Sequence, residues 1–172
     1  ADITLPLVAE HAGVARNTVY GYFADKEALL LAYLDREVAR FMEQASAAIR
    51  AEESAADRLR VVIELQTRYF AATAASGQEL AGVLNPHSFG QMSAAFTPLL
   101  DMITQIIRDG RDDGSFREID VDQIARLVFA LLGTYRVALA AGSTTAEQVS
   151  ENILDLLLHG IARGPQAPTP AE

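Results

Sequence analysis

The sequence predicts an all-α protein, and three observations carry that prediction. Apolar residues recur at steps of three and four rather than two, and glycine and proline lie between the apolar segments more than inside them. Several of these segments also open on a Ser, Thr or Asp followed three residues later by Asp or Gln, which is the pattern of a helix N-terminus. Half of the 172 residues are apolar and 22% are charged, a composition that excludes disorder, collagen and a chain that folds only around metal. That length suits one domain, or a small module joined to a larger one.

Thr4 is expected to cap a first short helix, with Pro6 tolerated in its first turn. Val8, Ala9 and Ala12 would form an inward face small enough for close approach by a second helix. Gly13 ends the first helix by accepting positive φ, Val14 plugs the corner, and a second short helix runs over residues 16–22. Two short helices joined by a tight glycine turn make either an αα corner of a core or a helix-turn-helix. Asp25 then caps a long helix over residues 26–50, with the stripe Leu30, Leu34, Val38, Phe41, Ala45 and Ile49.

Ser54 with Asp57 opens the next helix, which carries Leu59, Val62, Ile63, Gln66, Phe70 and Thr73 on one face and reaches about residue 75. Residues 77–86 read as a short helix or an irregular link, after which Phe89, Met92, Phe96, Leu99, Ile103 and Ile106 keep helical spacing to Gly110. Pro98 either kinks that segment or starts a new helix with Thr97 as its cap. Residues 110–118 form a turn-rich loop. Asp120 with Gln123 starts a segment over residues 124–141 that is apolar on almost every side, and Thr145 with Gln148 caps a last helix through Val149, Ile153, Leu156, Leu157 and Ile161. The proline-rich tail over residues 164–172 is expected to be disordered.

The chain has no cysteine, so disulfides, thiolate metal sites and cysteine nucleophiles are excluded, which points towards the cytoplasm. The segment at residues 1–4 lacks the basic-then-apolar pattern of a signal peptide, and no unbroken apolar run approaches the ~20 residues of a membrane span, so no membrane partner is expected. His11, His87 and His159 follow no metal-ligand spacing, and there is no nucleophile elbow or glycine-rich phosphate loop. The chain is therefore read as a non-enzyme with no cofactor and no metal. The net charge of −9 argues against nucleic acid for the chain as a whole. The acidity is uneven, however, since residues 1–50 hold five basic and seven acidic side chains while residues 51–172 hold nine and sixteen.

The helix over residues 16–22 decides between the two readings of the corner. Arg16, Asn17, Thr18, Tyr20 and Tyr22 are hydrogen-bonding groups where a core helix would carry leucines, and only Val19 and Phe23 are plainly inward. Arg16 suits guanine edges, Asn17 adenine edges, and Thr18 a thymine methyl or a phosphate, while tyrosine hydroxyls suit phosphate oxygens. Lys26, the only lysine, stands at the start of the long helix, where free amides and the helix dipole already favour an anion.

The string Val8-Ala9-x-x-Ala12-Gly13-Val14, followed by Thr18-Val19-Tyr20-x-Tyr22-Phe23-x-x-Lys26-x-x-Leu29, resembles the DNA-binding signature of the TetR family of transcriptional regulators. The resemblance covers about residues 4–34. It implies a homodimeric, usually repressing regulator that leaves double-stranded operator DNA when a small molecule enters a second, helical domain. By position it implies that Arg16, Asn17, Thr18 and Tyr20 face bases or backbone and that Tyr22 and Lys26 hold phosphates. Two departures stand out: Ala15 occupies the place of a serine-like cap, and Gly21 costs roughly 1 kcal/mol relative to alanine. The family's first helix, roughly fifteen to twenty residues, is also missing, so a loosely held DNA-binding module is expected.

The expected organisation is a truncated helix-turn-helix domain over residues 1–34, a helical ligand-binding and dimerization domain over residues 35–163, and the tail. A twofold dimer would be built from the last two helices, whose apolar faces exceed what one core covers. Gln66 and Thr73 lie on an otherwise apolar face, so they either pair inside the core or line a cavity for a hydrophobic or aromatic effector with Phe70, Met92, Phe96, Ile103, Leu131 and Tyr135. The alternative is a helical DNA- or protein-binding module with no small-molecule effector.

Overall fold

The computed structural model describes residues 4–73 and 94–161, and those residues form seven principal helices and no strand. They are α1 (Leu5–His11), α2 (Arg16–Tyr22), α3 (Lys26–Ile49), α4 (Ala55–Ala72), α5 (Thr97–Asp112), α6 (Val121–Ala140) and α7 (Ala146–Ile161).

Local chemistry accounts for most of the helix starts. The Thr4 hydroxyl accepts from the Leu7 amide at 3.4 Å, and the Asp25 carboxylate accepts from the Ala28 amide at 2.8 Å. Ser54 accepts from the Asp57 amide at 3.0 Å and Asp120 from the Gln123 amide at 3.0 Å. Thr145 and Gln148 form a reciprocal capping box, each side chain accepting from the other's amide. As the sequence anticipates, α2 starts on Ala15 without a side-chain cap.

Several boundaries differ from the expected ones. Pro98 lies in the first turn of α5, where its missing N–H costs nothing, and the cap position is Phe96 rather than Thr97. α5 also runs through Gly110 to Asp112, because Gly110 is a packing glycine within the helix and not its end. α4 stops at Ala72, where the Thr73 amide closes on the Tyr69 carbonyl at 3.0 Å. Residues 77–86, Phe89, Met92, His87 and the tail lie outside the described residues.

α4 is the central strut, in contact with α3, α5, α6 and α7, whereas α6 and α7 barely touch each other within one chain. The main core gathers around Leu59, Val62 and Ile63 of α4, Ile103 and Ile107 of α5, Val128 and Leu132 of α6, and Val149 and Ile153 of α7. A buried polar pair joins α4 to α7 through a 3.0 Å hydrogen bond between the hydroxyls of Thr67 and Ser150. A second, smaller cluster holds α1, α2 and the start of α3 together through Leu5, Ala9 and Val19, with Phe23 and Leu29 against it.

The corner between α1 and α2 departs from expectation in two details. The inward face of α1 is Leu5 and Ala9, one turn apart, while Ala12 is the exposed C-cap. Val14 is 43% exposed; the corner is closed by its backbone amide, which donates to the Ala9 carbonyl at 3.0 Å, and by Gly13 at φ 67°. The absence of an unbroken apolar run also proves a weak guide, since α6 is long and apolar enough by length and composition to cross a membrane. A helix of a soluble core or interface passes the same test.

Candidate nucleic-acid interface and effector domain

α2 presents a continuous polar face. Arg16, Asn17, Thr18, Tyr20 and Tyr22 are exposed, Tyr22 at 80%, while Val19 alone turns inward at 6%. The physical cause is the tie of α2 to α1 through that valine: with one buried residue fixing the helix's rotation, the remaining side chains must face solvent. None of the five polar side chains makes a hydrogen bond or ion pair to another described residue, and the same holds for exposed Lys26. These six polar groups are thus open to solvent.

Around Lys26 the geometry is more mixed than the sequence suggests. Asp25 takes the Ala28 amide and places a carboxylate at the start of α3, beside exposed Lys26. An anion held there by Lys26 would lie against the nearby negative charge of Asp25.

The residues expected to line an effector cavity are partly brought together. Ile103 is fully buried in the main core, and Phe70, Leu131 and Tyr135 pack against the same cluster. Gln66 is 2% exposed. Thr73 is the C-cap of α4, and its hydroxyl donates to the Tyr69 carbonyl at 2.8 Å, so this polar group is satisfied by its own helix. Phe96 is half-buried at the start of α5, and Met92 lies outside the described residues. A polar groove of about 400 Å³ opens between α5 and α6 beside the 3.9 Å Arg108–Asp122 ion pair, and it is lined by none of these eight.

Three features escaped the sequence. Thr67 is the fully buried polar residue beside Gln66, a position that the four-residue step from Leu59 through Ile63 would have flagged. The outward residue of the last helix is Leu156 at 64% exposure, whereas Leu157 is buried at 7%. Finally, α3 and α4 are joined by Tyr69 and Glu37, a long-range pair with no sequence signal.

The comparisons with known proteins agree on one kind of relative. Residues 1–33 match the bacterial regulatory proteins of the tetR family, and residues 52–161 match the tetracyclin repressor-like C-terminal domain. The fatty acid metabolism regulator protein of Bacillus subtilis (strain 168) is 24% identical over 165 residues, which span 90% of this chain and 82% of the relative. The structure of FadR from Bacillus subtilis in complex with stearoyl-CoA superposes with a TM-score of 0.77 at 23% identity, covering 91% of this chain and 88% of that one. FadR from Thermus thermophilus, a TetR-family repressor in complex with lauroyl-CoA, superposes with a TM-score of 0.66 at 26% identity, covering 99% of this chain and 90% of that one.

Proposed function

The chain belongs to the TetR family of bacterial transcriptional regulators, and from that premise we propose that it is a cytoplasmic, homodimeric repressor released from operator DNA by a long-chain acyl thioester. The observation that carries the DNA-binding half is the outward, unpaired polar face of α2. Arg16, Asn17 and Thr18 at the start of α2 read base edges, while Tyr20, Tyr22 and Lys26 take phosphates. Residues 1–34 act as the DNA-reading module and residues 35–163 as the ligand-binding and dimerization domain.

Support for a second copy comes from the faces that α6 and α7 leave open. Leu127 and Val137 of α6 and Leu156 of α7 are 57%, 66% and 64% exposed, on two helices that contact each other little within one chain. A twofold partner covering these helices would bury the patch and set the two recognition helices about 34 Å apart, one turn of DNA. The same cover accounts for the apolar length of α6 without a membrane.

The effector class is proposed from the relatives that bind stearoyl-CoA and lauroyl-CoA and from the apolar chemistry of Phe70, Met92, Phe96, Ile103, Leu131 and Tyr135, with Gln66 and Thr73 as the polar residues of the same set. An acyl chain needs such walls, and a few polar groups orient its head.

The test uses full-length protein and a duplex selected by it from a random pool. Arg16→Ala is expected to weaken binding by about 1 to 3 kcal/mol and to relax base preference, while Lys26→Ala weakens all sequences alike and makes the salt slope shallower by about one. Stearoyl-CoA should raise the melting temperature and release the duplex. Unchanged affinity in both variants sinks the DNA assignment; DNA binding that stearoyl-CoA leaves unmoved sinks the effector class.

A further inference from the structure

Tyr69 and Phe70 are successive residues of α4 and so point about 100° apart around the helix. Phe70 packs against the main core. Tyr69 packs against the same core and also meets α3, where its hydroxyl donates to Glu37 Oε2 at 3.3 Å and its ring stands edge-on to Phe41 with centroids 5.7 Å apart. The two neighbouring rings are themselves in contact, with centroids 6.4 Å apart. Among the described residues, the Tyr69–Glu37 bond is the only side-chain hydrogen bond between α3 and α4, and no ion pair joins them.

Its place along α3 matters as much as its chemistry. Beyond Glu37 towards the C-terminal end, α3 is bedded in the main core by Phe41 and Ala45, with Met42 and Ile49 against it. At the other end, Leu29 belongs to the small cluster of the helix-turn-helix. The twelve residues from Lys26 to Glu37 form a lever of about 16 Å. Apolar contacts such as Phe41 on Tyr69 tolerate sliding, whereas a hydrogen bond to a carboxylate is directional and is either made or lost. A shift of Phe70, whose ring lies against that of Tyr69, would therefore reach α3 as the making or breaking of one bond at the root of the lever.

We propose that the Tyr69–Glu37 hydrogen bond is the latch that sets the tilt of α3 on α4, which makes Tyr69 and Glu37 positioning residues for the control of DNA binding by the effector domain. The link to an effector rests on the ligand-gated reading above; the control of tilt does not.

The experiment exploits the absence of cysteine by placing spin labels at Ala24→Cys and Glu151→Cys, two exposed positions on the DNA-reading end and on α7, in full-length protein diluted with unlabelled protein. Tyr69→Phe keeps the ring and removes the donor, Glu37→Ala removes the acceptor, and Glu37→Gln retains an acceptor oxygen. Tyr69→Phe and Glu37→Ala should each displace or broaden the distance distribution by about 2 Å, the double variant no further than either, and Glu37→Gln should follow the wild type. In parallel, the change in affinity for the selected duplex caused by stearoyl-CoA should fall at least about fivefold in Tyr69→Phe and persist in Glu37→Gln. Distances unchanged in both Tyr69→Phe and Glu37→Ala overturn the latch whatever the DNA assay shows. Distances that shift while wild-type DNA binding ignores stearoyl-CoA uphold control of tilt and reject the effector class. Variants that shift the distances yet keep the full stearoyl-CoA response show that the bond sets tilt without carrying the signal, which overturns its part in control.

Discussion

Thr67 of α4 and Ser150 of α7 share a buried hydrogen bond of 3.0 Å between two helices of the main core. Each hydroxyl also reaches a carbonyl of its own helix, Thr67 those of Ile63 and Glu64, Ser150 that of Ala146. Removing one partner therefore leaves no buried group unpaired. Thr67→Val and Ser150→Ala should each cost only about 0.5 to 1.5 kcal/mol by chemical denaturation, and the double variant should cost less than their sum. A loss above about 3 kcal/mol from either single change would show that the pair, and not the helix carbonyls, satisfies these groups.

Two helical glycines should respond to alanine with opposite sign. A Cβ at Gly110 would lie 2.4 Å from Phe116 Cδ2 and 2.8 Å from Ala55 Cβ, whereas one at Gly21 meets nothing within 4 Å. Gly110→Ala should destabilise by about 1 to 3 kcal/mol, with partial rescue by Phe116→Leu. Gly21→Ala should stabilise α2 by up to about 1 kcal/mol, read as a higher melting temperature.

The two neighbouring leucines of α7 separate association from folding. Leu156 is 64% exposed and Leu157 is 7% exposed. Leu156→Glu should yield a folded monomer by light scattering, with little change in helical content. Leu157→Glu should instead lower the melting temperature steeply, because it places a charge in the core. A Leu156→Glu protein that stays dimeric would remove this face from the interface.

The Tyr69 hydroxyl is pushed up from 10.0 to about 12, first by burial and then by the negative charge of Glu37. Between those values the unfolded chain releases a proton that the folded chain keeps. The stabilisation is therefore fully present below about pH 10 and is lost as the pH rises towards 12. Tyr69→Phe lacks this titration, so the gap in melting temperature between the wild type and Tyr69→Phe should hold steady up to about pH 9 and narrow above 10. A gap that widens over that range would contradict the burial of the neutral hydroxyl.

What the sequence determined by itself was decided within one or two helical turns. The caps at Thr4, Asp25, Ser54, Asp120 and Thr145, the left-handed turn at Gly13 and the uncapped start of α2 all follow from residues at most three positions apart. The polar face of α2 was legible for the same reason, because a single inward valine fixes the rotation of a seven-residue helix. Tertiary structure decided the rest. α6 and α7 are apolar on so many sides that a 3.6-residue period leaves their rotation open, and packing on α4 turned Leu157 inward and Leu156 outward. Packing likewise made Thr67, and not Thr73, the fully buried threonine of α4, and it kept Gly110 inside α5 to admit the Phe116 ring. The Tyr69–Glu37 bond spans 32 residues, and only the docking of α3 on α4 brings its two ends together. Short-range order comes from backbone hydrogen bonds and side-chain caps that each residue makes with its neighbours. The phase of an apolar helix and the pairing of distant polar groups come from the shape of the core that several helices must fill at once.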